Sequence, residues 1–162
     1  MDDPRRTANL LLLLRQAREL GSREAGLAVV VTQRADGTAQ ASVVNAGIVD
    51  RPVTGAPTVA FVVQGGARKK LANLRARRLA TVVFRSGWDW VSIEGDVDLV
   101  GPDDPLEGVA SGDVLGLFHD TYAAAIGGKP NDWAARDDVI EQERHTVVLV
   151  RTTRVYSNAT GA

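Results

Sequence analysis

Seven basic side chains and no acid fall within residues 65–85: Arg68, Lys69, Lys70, Arg75, Arg77, Arg78 and Arg85. Taking those seven from the 19 Lys+Arg leaves 12 against 20 Asp+Glu, so the formal charge of −1 hides one cationic block in an acidic body. The block opens on Gly65-Gly66. Glycine lets a backbone come close to a ligand. The residues after the pair open a helix, and free N–H groups at a helix start favour anions. Arg68 supplies a planar fork that matches phosphate, and Lys69 or Lys70 supplies a mobile point charge. At helical spacing Arg68, Ala72 and Arg75 share one face, and Lys69 and Asn73 share a neighbouring one. Two basic groups and one amide then converge on one anion. The plainer alternative is a solvated helix face, which is what most charge runs are.

Other chemistries are excluded by residue type. There is no cysteine, so disulfides, thiolate metal sites and cysteine nucleophiles are impossible. The two histidines, His119 and His145, lack metal-ligand spacing. No Ser-His-Asp set, paired-carboxylate motif, P-loop or dinucleotide fingerprint stands out. That pattern suits a protein whose reactivity comes from a bound cofactor. Trp88 and Trp90 lie two apart in a predicted strand and face one side, with Ser92 and Glu94 after them. Their rings either stack near a planar cofactor, pack a subunit seam, or simply fill a core. Tyr156, at the end of the last predicted strand, is placed to reach a groove. His119 and His145 read as structural or surface groups, and Trp133 as the anchor of an inserted helix.

Elements must position these groups. Residues 4–20 read as a helix with Pro4 in its first turn and Gly21 as its stop. Leu10, Leu13, Leu14 and Ala17 form its apolar stripe. Strands follow over 26–33 and 38–48, joined by a turn at Asp36-Gly37. A third strand covers 58–63, a short helix 67–77, a fourth strand 79–85 and a fifth 88–100, with Val91, Ile93 and Val97 facing the core. A helical region follows, broken at Gly127-Gly128 and Pro130. The last strand covers 146–156. The expectation is one α+β domain over 1–162, with an N-terminal helix within 1–21 and a helical insertion over 106–144, built on six antiparallel strands. The longest apolar run, 10–14, is far short of the roughly 20 residues that span a bilayer. Asp2 and Asp3 are unlike the basic start of a signal peptide. The reading is a cytoplasmic protein without a membrane partner. Nucleic acid is not expected either, because Phe84 is the lone aromatic in 65–85.

Three stretches carry a family resemblance. Gly65-Gly66-Ala67-Arg68-Lys69-Lys70-Leu71-Ala72-Asn73-Leu74-Arg75 is followed by the valine-rich strand to Arg85 and then by Gly87-Trp88-Asp89-Trp90-Val91-Ser92-Ile93-Glu94-Gly95. The hairpin from Asp36 to Gly47 and the ending Arg154-Val155-Tyr156-Ser157-Asn158 fit the same order. The chain from Gly26 on resembles the flavin/deazaflavin split β-barrel (pyridoxamine-phosphate-oxidase-like) family, in its branch of deazaflavin (coenzyme F-420)-dependent reductases. The resemblance implies a six-stranded antiparallel split β-barrel with peripheral helices. It implies a homodimer with cofactors at the subunit interface. It assigns the cofactor phosphate to Arg68, Lys69, Lys70 and Asn73, and the ring to the backbone of Ser42, Val44, Asn45, Ala46 and Gly47. The implied activity is hydride transfer from reduced F-420 to an unsaturated or conjugated small molecule. FMN on the same barrel, as an oxidase or reductase, is the alternative, and a non-catalytic F-420 carrier is another. Many relatives show one lysine after the arginine where this chain has Lys69-Lys70. Seven bases exceed the need of one phosphate, so Arg75, Arg77 and Arg78 are candidates to attract an anionic tail at long range, with Arg77 and Arg78 alternatively surface residues before a strand.

Overall fold

The structure, a computed structural model, describes residues 3–65, 67–127 and 133–158; the side chains of 133–135 lie outside the description. Helix α1 (Pro4–Arg23) starts where the sequence asks it to. The Asp3 carboxylate accepts the Arg5 N–H at 3.0 Å, and Pro4 sits where its missing N–H costs nothing. Leu13, Leu14 and Ala17 are buried, as the stripe requires. The predicted stop at Gly21 is not observed. Gly21 lies inside the helix, pressed on Phe84, where a Cβ would stand 3.2 Å from the ring. Its smallness serves packing. The left-handed turn falls instead at Ala25 and Gly26, with φ of 54° and 75°.

The expected α+β architecture is the one observed. Strands β1 (Leu27–Gln33), β2 (Ala39–Asp50), β3 (Pro57–Val63), β4 (Leu79–Ser86), β5 (Asp89–Val100) and β6 (Thr146–Ser157) close a barrel in the order β1-β2-β3-β6-β5-β4. Every neighbouring pair is antiparallel. Helix α2 (Arg68–Ala76) joins β3 to β4, and α3 (Val114–Ile126) and α4 (Trp133–Gln142) join β5 to β6. Gly127, at φ 75°, closes α3. The expected breaks at Gly128 and Pro130 and the role given to Trp133 lie outside the described residues and side chains.

Period-two alternation places Val30, Val82, Val91, Ile93, Val97 and Phe84 inside the barrel, under α1. The start of β6 is buried on both faces, and Thr146–Val150 reads as a nearly continuous apolar run for that reason. Its outward residues Val147 and Leu149 join Val49, Ala60 and Val100 beneath Leu117, Phe118 and Ile140 of α3 and α4. This second cluster holds α3 against the barrel wall. Among the described residues no helix is long and apolar enough to cross a membrane.

Candidate functional site

The barrel wall opens between β2 and β3. The ladder between β2 and β3 runs from Asp50↔Pro57 to Ala46↔Phe61 and stops. Beyond it, β2 pairs only with β1, and Val62 and Val63 of β3 pair only with β6. A cleft of about 300 Å³ fills the gap. Val43, Val44 and Asn45 form one side and Val62, Val63 and Gln64 the other; Lys70 enters from α2 and Tyr122 from α3. The Ala46 N–H donates to Gly26 O at 2.8 Å, opposite in register. By the alternation of an antiparallel ladder, Val43 then turns its N–H and C=O away from β1 and towards the gap. A strand edge of this kind is a ready template for a flat polar partner.

Lys70 supplies the charge. It is half-buried, and desolvation pushes its ammonium below the ordinary lysine range. It makes no ion pair among the described residues. Arg68 and Lys69 are exposed beside it on the first turn of α2. No side chain caps that turn at Ala67, so its N–H groups stay available. An anion bound here would meet one fork, two ammonium groups and free backbone donors.

The rest of the cationic block disperses, because helix and strand periodicities point successive bases in different directions. Asn73 is tied to the barrel: its Nδ2 donates to Thr32 Oγ1 at 3.2 Å and to Gln40 Oε1 at 2.9 Å, which uses both amide hydrogens. It is not aimed at an anion beside Lys70. Arg75 closes a bidentate pair with buried Asp104, Nε–Oδ1 3.0 Å and Nη2–Oδ2 2.6 Å, rather than reaching for a tail. Arg78 lines an acidic hollow with Asp96, Asp98 and Asp103, and Arg85 donates to Gly87 O. Gly65 also has another task. A Cβ there would lie 1.8 Å from Glu143 O, so the β3–α2 turn needs glycine to pass the α4–β6 turn.

The β2 residues divide in the same way. Val44 and Asn45 line the cleft, and Asn45 Nδ2 also donates to Ala25 O at 2.9 Å. Gly47 is buried under α3, where a Cβ would stand 2.5 Å from Ala124 C, while Ala46 faces the barrel interior. Ser42 lies opposite Val30, with its Oγ buried and unpartnered among the described residues. A methyl group would remove that unpaired hydroxyl. Ser42→Ala is therefore expected to leave the melting temperature unchanged or raised and ligand affinity unchanged, read by thermal scan and titration.

The tryptophans stand elsewhere. Trp88 is not on a strand: with Gly87 it makes the two-residue turn between paired Ser86 and Asp89, and it is 92% exposed. Trp90 packs edge-on against Tyr156, centroids 5.9 Å apart, and Asn158 clamps the turn by donating to Trp88 O and accepting from Trp90 N. Tyr156 donates to Glu94 Oε1 at 2.8 Å. Around the barrel, Trp90 pairs with Arg85, and two further strands, β4 and β1, separate it from β2. At about 4.8 Å per strand, three steps put it roughly 14 Å from the cleft wall within one chain.

Sequence reasoning missed Tyr122. It lines the cleft, Arg136 lies 4.6 Å from its ring centroid, and burial raises its phenol above the ordinary range. Behind it His145 is 2% exposed, with Nδ1 3.4 Å from Tyr122 Oη and Nε2 2.9 Å from Glu143 Oε2. His119 instead joins α3 to α4 through Asp137 at 2.6 Å. Among the described residues no cluster of metal-ligating side chains is found.

No protein-family model and no curated protein matches the sequence. Solved structures do match. An FMN-binding, pyridoxamine 5'-phosphate oxidase-related protein from Nostoc punctiforme is 14% identical, TM-score 0.61, over 96% of this chain and 84% of that one. An F420 reductase is 17% identical, TM-score 0.53, over 82% of this chain and 90% of that one. A heme-binding protein from Mycobacterium smegmatis is 18% identical, TM-score 0.57, over 90% of this chain. The chain spans about half the length of that protein (55%) and of an Agrobacterium tumefaciens protein of unknown function (55%). At these identities the likeness is one of fold: the split β-barrel on which FMN-binding, F420-reducing and heme-binding proteins are all built.

Proposed function

We propose that the cleft between β2, β3, α2 and α3 binds a phosphate-bearing flavin-type cofactor, the deazaflavin F-420 with FMN as the alternative, and that the chain is an oxidoreductase. The observation that carries this reading is Lys70, a half-buried cation without an ion-pair partner among the described residues, beside an open strand edge in one cleft. The residues fit the group. A phosphate at the start of α2 would be held by Arg68, Lys69 and Lys70 and by the uncapped N–H groups. A ring lying along Val43–Asn45 would meet main-chain donors and acceptors. When bound, such a cofactor supplies the hydride. The chain orients it, neutralises its phosphate and keeps water off the apolar walls formed by Val43, Val62 and Val63. A heme reading lacks an imidazole in the cleft, since His145 and His119 are each committed to a carboxylate.

A second copy of the chain completes the proposal. Val43, Val29 and Val83 form one row across the outer face of β2, β1 and β4, and Ala41, Val31 and Thr81 form the next. Val43 is 63% exposed and belongs both to this row and to the cleft. A partner seated on the row would cover the open side of the cleft.

The test is a fluorescence titration with F-420 and FMN side by side. Lys70→Ala and Arg68→Ala should each weaken the preferred cofactor about 10- to 100-fold, as loss of a charged hydrogen bond does. Unchanged affinity in both variants would sink the assignment. Binding should also depend on pH. Lys70 has a lowered pKa in the free protein, and a bound phosphate favours its charged form. Binding then takes up protons, and affinity falls as pH rises through the lowered Lys70 value. Yellow protein on purification points to FMN, and binding without turnover across acceptors points to a carrier.

A further inference from the structure

We propose that Tyr122 hands a proton to the molecule in the cleft and is recharged through His145 and Glu143, an inference that rests on the cofactor reading above. His145 is buried, and both of its ring nitrogens are engaged, along a line that runs from solvent to cleft. Nε2 meets Glu143, whose side chain is 56% exposed, and Nδ1 meets Tyr122. Arg144, between the two, has φ of 51°, in the left-handed region. A bidentate pair with Asp103 anchors the Arg144 side chain. This left-handed residue closes α4: the Arg144 N–H donates to Glu141 O at 3.2 Å and the His145 N–H to Ile140 O at 3.0 Å. Here it turns the Glu143 and His145 side chains towards each other two residues apart. The other charge near the phenol is Arg136 on its ring, a cation that favours an anionic oxygen, and Lys70 lines the same cleft.

The step balances. An acceptor that has gained a hydride from the reduced cofactor carries negative charge on carbon or oxygen. The Tyr122 O–H bond breaks and its proton goes to that atom. His145 gives a proton from Nδ1 to the phenolate oxygen, with Glu143 on its Nε2. Solvent, which reaches Glu143, replaces the proton lost from the ring. Tyr122 is thus the catalytic residue, and His145 and Glu143 position and recharge it.

The chain has two tyrosines and two histidines, so each can be read singly. In Tyr156→Phe the remaining phenol is Tyr122, and its ultraviolet titration reads that group alone. The transition should move when His145→Gln is added, and move again when F-420 or FMN binds. No movement in either case overturns the proposal. The loaded protein is then tested with cyclohexenone, menadione and a nitroarene. Tyr122→Phe should lower kcat about 100-fold or more with the cofactor Kd within twofold. His145→Gln should lower kcat and flatten the pH profile at unchanged KM. An unchanged kcat in Tyr122→Phe overturns the proposal, as does a loaded wild-type protein that reduces none of the three. Failure of both cofactors to bind is a different result: it removes the cofactor reading, and the proton delivery with it.

Discussion

Gly65→Ala is expected to lower the melting temperature by about 5–10 °C. The added Cβ would stand 1.8 Å from the Glu143 carbonyl oxygen and 3.0 Å from its carbon, both backbone atoms that no rotamer change can move. Overpacking of this kind costs roughly 1–3 kcal/mol, and one kcal/mol is worth about 2–4 °C in a chain of this size. The turn between β3 and α2 must shift away from the turn between α4 and β6. Lys70 and the Glu143–His145 pair lie on opposite sides of that contact, so cofactor binding should weaken together with stability. Gly116→Ala is the control. Among the described residues nothing beyond its own turn of helix lies within 4 Å of its Cβ position, and it sits inside α3, where alanine is the better helix former by about 1 kcal/mol. Its melting temperature should stay level or rise. If both variants melt alike, the close approach at Gly65 is not what the turn requires.

The second large effect is expected at Arg75. Its guanidinium holds both oxygens of Asp104, whose side chain is 7% exposed. Asp104 also forms the bridge with Gly101 that closes the turn after β5. Arg75→Met keeps most of the aliphatic stem but leaves a buried carboxylate without its cation, a change that costs about 3–5 kcal/mol. Asp104→Ala should cost less, because Arg75 is 41% exposed and can hydrate when released. The double variant Arg75→Met/Asp104→Ala should lose clearly less than the sum of the two, since it no longer carries the stranded charge. Denaturant melts of the four proteins measure this directly, and strictly additive losses would show that the pair is not coupled. Cofactor affinity of folded Arg75→Met should match that of the wild type, because Arg75 faces Asp104 and not the cleft.

These two sites show where the sequence was readable. The cationic block was visible as composition, and the helix start that exposes Arg68, Lys69 and Lys70 was visible as local pattern. Val44, Asn45 and Lys70, each tied to a strand or helix end, line one cleft. The seven bases could not be sorted from spacing alone. Arg75 was read as a candidate to attract an anionic tail and pairs with Asp104, 29 residues away. Asn73 was assigned to phosphate and belongs to Thr32 and Gln40. Glycines were ambiguous for the same reason. Gly21, Gly47 and Gly65 are small where another backbone or ring passes, and a sequence shows glycine without showing what passes.

By itself, then, the sequence determined the elements: period-two valines, an Asp-Gly turn, an amphipathic first helix and a charged helix start are all properties of neighbours along the chain. Only the tertiary structure decided the site. The cleft exists because the β2–β3 ladder ends at Ala46↔Phe61, and Tyr122, Glu143 and His145 meet because β6 pairs with β3 while α3 crosses β2. Side-chain chemistry is local to a residue, but the partners that bias it come from strands far apart in sequence, and closure of the barrel brings them together.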